Sequence, residues 1–76
     1  MNAHPFRVRA DVSPHPHICA VFATLELALE FARSMAARYG ETMTIRAAHP
    51  DLLAGRVVKV AVDGTTASYY NHEETT

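Results

Sequence analysis

Only one stretch of this 76-residue chain carries a helical period, "TLELALEFARSMAARYG", running from Thr24 to Gly40. Leu25, Ala28, Leu29, Ala32, Met35, Ala36 and Tyr39 recur at i, i+3, i+4 and i+7, and Leu27 and Phe31 widen the stripe. Thr24 reads as the N-cap, Glu26 sits in the first turn, Arg38 in the last, and Gly40 at C′. Glu30 and Arg33 form an i,i+3 pair. The spacing therefore predicts one helix over 25–39. A lone helix cannot enclose a core by itself, so its apolar stripe must lie against a sheet.

The rest of the chain supplies the strands. Residues 6–12, "FRVRADV", alternate strictly: Phe6, Val8, Ala10 and Val12 point one way, and Arg7, Arg9 and Asp11 the other. "SPHP" (13–16) is a turn, and "HICAVF" (17–22) a second strand, predicted central because both of its faces are apolar. After the helix, "TMTIRAA" (42–48) alternates again, with Met43, Ile45 and Ala47 on one side. "HPDLLAG" (49–55) connects, with a helical turn after Pro50. "RVVKVAV" (56–62) is a strand carrying Val58, Val60 and Val62 on one side. Asp63-Gly64 then reads as a two-residue hairpin turn, which pairs Val62 with Thr65, Val60 with Ala67 and Val58 with Tyr69. The last strand is 65–70, and "NHEETT" (71–76) is a polar tail expected to fray. The expected fold is α+β: a single domain over 1–76, order β-β-α-β-β-β, with one helix on one face of a mostly antiparallel sheet.

Composition narrows the function. A chain this short buries only about 60–65% of its unfolded surface. Although 49% of its residues are hydrophobic, thirteen are alanines, so the core is small. The net charge of −1 argues against an acidic mimic of nucleic acid and against a histone-like basic protein, so only the distribution of charge is informative. Cys19 has no second cysteine to pair with, which fits a reducing cytosol. The N-terminus lacks the basic-then-apolar pattern of a signal peptide, and no apolar run approaches the ~18 residues of a membrane span.

Chemistry-bearing motifs are few. His15 and His17 would share a strand face, but zinc needs three or four ligands, and no C-x-x-C or H-x3-H pair completes a set. Proline-flanked histidines filling a turn is the simpler reading. No G-x-S-x-G surrounds a serine, Cys19 lies in an apolar run, and the isolated glycines form no phosphate loop. Neither an enzymatic activity nor a cofactor or metal is expected. The informative feature is one sheet face. If the helix covers Phe6, Val8, Met43, Ile45, Val58 and Val60, the opposite side carries Arg7, Arg9, Arg46 and Lys59, joined by Thr42, Thr44 and Tyr70, with Asp11 its only acid. Arginine forks and a tyrosine ring suit phosphates or carboxylates. An ordinary solvated strand face is the competing reading.

The segment "VFATLELALEFARSMAARYGETMTIRAA" (21–48) resembles small uncharacterised bacterial domains that share an aromatic-x-Thr entry, an "ALEFAR"-like helix and a following strand. That resemblance implies an α+β fold and no activity. In size, self-contained fold and lack of catalytic motif, the whole chain resembles the anti-CRISPR-type inhibitors of phages and mobile elements. This implies a protein that docks on a CRISPR effector complex and blocks DNA access. The expectation is thus a non-enzymatic binding protein acting through Arg7, Arg9, Arg46, Lys59 and Tyr70 on a larger protein or ribonucleoprotein. Direct nucleic-acid binding through the same face is the alternative. A monomer is expected, with self-association through the terminal strand as a further alternative.

Overall fold

The computed structural model describes residues 3–10 and 19–70. Its elements are β1 (Phe6–Ala10), β2 (Cys19–Phe22), α1 (Leu25–Tyr39), β3 (Met43–Ala47), a 3-10 helix (Pro50–Leu53), β4 (Arg56–Val60) and β5 (Thr66–Tyr70). The strands form one sheet in the order β2-β1-β3-β4-β5, every neighbouring pair antiparallel. The predicted α+β layering, one helix on one sheet face, is what the chain adopts.

α1 starts and stops where its local chemistry directs. Thr24 is extended, and its Oγ1 accepts the Leu27 N–H at 3.2 Å, satisfying one of the donors a helix start leaves open. Gly40 adopts φ +66°, a left-handed conformation that a side chain would strain, and Gly40 and Glu41 both donate to the Ala36 carbonyl. The fully buried helix positions are Ala28, Ala32 and Ala36, one per turn. Only methyl groups lie along this line, and the partly buried Leu25, Leu29, Phe31 and Met35 pack against the core beside it. Phe31 meets Phe22 of β2 at a ring-centroid distance of 5.1 Å. Leu27 does not widen the buried stripe: it is 48% exposed, because the alanine line rotates it past the edge of the sheet. Arg33 does not pair with Glu30; its Nε donates to the Gly64 carbonyl at 3.3 Å, tying the helix to the β4–β5 turn.

On the sheet side, Val8, Met43, Ile45 and Val60 have no solvent exposure. They come from β1, β3 and β4, so the core lies under the middle of the sheet. The strand predicted central, 17–22, is an edge: β2 lies outside β1, and Val21 is 48% exposed. Because β2 and β3 both pair with β1, the α1 connection carries the chain across β1, and β3 becomes the middle strand. His17, Ile18, Asp11 and Val12, the 13–16 turn and the tail over 71–76 fall outside the described residues.

The last hairpin departs from expectation by one residue. Lys59 faces Ala67, Val58 faces Ser68, Val57 faces Tyr69 and Arg56 faces Tyr70. The turn holds three residues, Val62–Gly64, closed by Gly64 N–H to the Ala61 carbonyl and Ala61 N–H to the Thr65 carbonyl, both 2.9 Å. Gly64 takes φ +90°, the left-handed residue that ends a three-residue hairpin loop. The Asp63 carboxylate accepts the Thr65 N–H at 3.0 Å and the Thr65 hydroxyl at 2.7 Å, which holds the turn in this form. These bonds keep the Asp63 carboxyl below its ordinary pKa. Val62, predicted to join the core side, is 46% exposed in the turn.

Candidate basic sheet face

Side chains alternate across a pleated strand, so register fixes what shares the uncovered face. With Phe6, Val8, Ile45, Val58 and Val60 under the helix, the other face receives Arg7 and Arg9 from β1, Thr44 and Arg46 from β3, and Val57 and Lys59 from β4. β2 adds Cys19 and Val21, and β5 adds Ala67 and Tyr69. Arg7 lies directly opposite Arg46, with Val21 on its other side. Arg9 lies opposite Thr44, which lies opposite Lys59. The four predicted cations are thus neighbours on one surface. Across their described lengths the five strands carry no acidic residue at all.

Tyr70 is not among them. The one-residue difference in register turns Tyr70 to the helix side of the sheet, beside Arg56, and brings Tyr69 onto the basic face instead. Arg56 stacks over the Tyr70 ring at 4.5 Å and donates from Nη2 to its hydroxyl at 3.1 Å. That bond, together with the guanidinium charge, lowers the Tyr70 pKa below its ordinary value. Tyr69 is 53% exposed. Spacing missed it because Asp63-Gly64 fits a two-residue turn, whereas the loop is the three-residue Val62–Gly64, which moves the register by one.

Among the described residues, depressions mark this face on either side. One, of about 230 Å³, is lined by Arg7, Arg9 and Arg46 together with His4, Pro5, Val21, Ala47 and Ala48. The other, of about 390 Å³, lies over β4 and β5 and is lined by Thr42, Lys59, Ala61, Ala67 and Tyr69 together with Thr65 and Thr66 of the hairpin. Thr44 and Val57 lie between the two and are buried although no second layer of the described chain covers them. Register sets Tyr69 opposite Val57, and Arg9 and Lys59 opposite Thr44. Cys19 is a free, exposed thiol opposite Arg9. Among the described residues no group of three His, Cys, Asp or Glu side chains converges in a way that could hold a metal, and no helix is long and apolar enough to cross a membrane. His15 and His17 lie outside the described residues.

No protein-family model matches the chain, and no curated protein or solved structure matches it either.

Proposed function

We propose that the protein is a non-enzymatic binding protein that docks its open, cationic sheet face on an acidic surface of a larger protein or nucleoprotein. The observation that carries this reading is Arg7 opposite Arg46, with Arg9 beside them around one depression. A partner's carboxylates or phosphates brought to this depression would accept forked, charge-assisted hydrogen bonds from guanidiniums gathered on one face. Charges arranged this way raise the encounter rate and fix orientation more than they add affinity. The resemblance to anti-CRISPR-type inhibitors points to a CRISPR effector complex as the nucleoprotein, with the bound chain blocking DNA access.

The test is two-sided. Expressed in a CRISPR-immune host, the wild-type chain should restore plaque formation by a targeted phage, and it should co-purify with the effector complex. Arg7→Glu and Arg46→Glu should abolish both, while Arg38→Glu, on the helix, should leave both intact. Effector capture that the two sheet-face variants leave unchanged would refute this face as the docking surface.

A second reading, direct binding of single-stranded nucleic acid, draws on Tyr69, whose exposed ring shares the face with the cations. It predicts a gel shift with bare RNA or DNA that weakens log-linearly with salt and is lost in Tyr69→Ala. No shift at low salt removes it.

A further inference from the structure

The outer edge of β5 has features that the basic face does not explain. β5 ends the sheet, and all five of its residues, Thr66 to Tyr70, are exposed. Edge strands are ordinarily blunted by charge, proline or a bulge along the strand, because their free backbone groups template pairing with another chain. β5 has neither a charge nor a proline, and its threonine and tyrosines favour extended backbone.

The backbone direction is fixed by the turn. Ala61 N–H bonds to the Thr65 carbonyl, so residues 61 and 65 form a hydrogen-bonded pair. In an antiparallel ladder such pairs alternate with non-bonded ones. Lys59–Ala67 and Val57–Tyr69 are therefore bonded pairs, and Thr66, Ser68 and Tyr70 direct their N–H and C=O groups away from β4. Among the described residues nothing pairs with that edge.

The sequence of β5 is complementary to itself. Run antiparallel to a second copy about a two-fold axis at Ser68, it brings Ser68 to Ser68, Thr66 to Tyr70 and Ala67 to Tyr69. All three outward-facing residues then meet outward-facing residues, so each exchanges both of its backbone hydrogen bonds. On both faces of the sheet a large ring lies against a small side chain, and no charge meets a like charge along the seam. Other two-fold registers align fewer outward groups.

We propose that β5 is the dimer interface of this chain: two copies join edge to edge through an antiparallel β5–β5 pair centred on Ser68. The interface is isologous and closes on itself, because each copy spends its only β5. Both helices then lie on one side of a continuous sheet and both cationic faces on the other. Counted as seven inter-strand steps of about 4.8 Å, the two β1 strands lie about 34 Å apart.

The experiment is sedimentation equilibrium and disulfide trapping of the whole chain. The wild type should sediment as a dimer at tens of micromolar. In a Cys19→Ser background, Ser68→Cys should link two chains rapidly under mild oxidation, since opposed hydrogen-bonded residues have Cα atoms about 5.5 Å apart, within disulfide reach. Ala37→Cys on the exposed helix surface should link at least tenfold more slowly. Ser68→Pro removes an N–H that points away from β4, so it should yield a folded monomer by circular dichroism. Ser68→Lys should do the same by placing like charges face to face, and serves if the proline variant does not fold. A wild-type monomer at several hundred micromolar would overturn the proposal. So would a dimer that survives Ser68→Lys, or equal trapping at positions 68 and 37. A monomer whose β5 amides gain exchange protection only with a different protein would also overturn it, by assigning the edge to that partner.

Discussion

The β1–β3 pair and the β4–β5 hairpin are both antiparallel ladders in one sheet, yet their registers are held by different forces. In β1–β3, Val8 faces Ile45 and Ala10 faces Met43, and Val8, Ile45 and Met43 are sealed under the alanine line of α1. A slip of one residue would expose these side chains and bury Arg7, Arg9 and Arg46, so burial alone specifies the pairing. β5 buries nothing, and its register rests on the Val62–Gly64 turn and the Asp63–Thr65 bonds. One half of the sheet is positioned by its core, and the other by a few hydrogen bonds at its end.

This contrast can be broken most forcefully from the core side. Ile45→Ala should cost about 2–5 kcal/mol, the range for emptying a sealed site. For a domain of this size that is a large share of the total stability. Tyr69→Ala, on β5, should cost under about 1 kcal/mol, because Tyr69 is already 53% exposed. Urea unfolding of both variants measures the gap, and comparable losses would mean that the hairpin contributes to the core after all. An intermediate effect is expected at the turn. Gly64→Ala places a side chain at φ +90° and should cost about 1 kcal/mol or more. It should also broaden the NMR signals of β5 while leaving those of β1 and β3 in place.

The smallest effect is the acid dependence of the turn. Asp63 has a folded pKa lowered by its bonds to Thr65, so its contribution to stability is fully present above the unfolded value near 3.8. It is lost as pH falls through the lower folded value. Asp63→Asn should therefore be slightly less stable than wild type at pH 7, and the difference should shrink toward zero as the pH falls through that range. A difference independent of pH would show that the carboxylate charge is not what holds the turn.

The same contrast explains what could be read from the chain beforehand. α1 was legible to its terminal residues because its signals are local: a threonine cap, a left-handed glycine and a regular stripe all agree. The grouping of Arg7, Arg9, Arg46 and Lys59 was legible because strict alternation in β1 and β3 reports a buried face. The strand order was not legible. The apolar run ending in Cys19–Phe22 looks like a central strand, but its place depends on which edge of β1 the chain meets after the helix, and no local pattern encodes that. The site of Tyr70 was misread because "TTASYY" has no alternation to betray its register. Asp63-Gly64 fits a two-residue turn as readily as the last two positions of a three-residue one. What decides between them is the Asp63 side chain closing on Thr65, a contact that residue spacing alone does not reveal.

Because β5 owes its alignment to loop length, the Val62–Gly64 turn works as a selector for what the molecule displays. Closing the same residues as a two-residue loop, with Val62 opposite Thr65, would leave every sealed side chain of β1 and β3 where it is. It would nevertheless exchange the two adjacent tyrosines between the layers, releasing one ring from Arg56 and presenting it beside Lys59. What the β5 half of the sheet displays is thus decided at its turn, while the interior under β1 and β3 stays as it is.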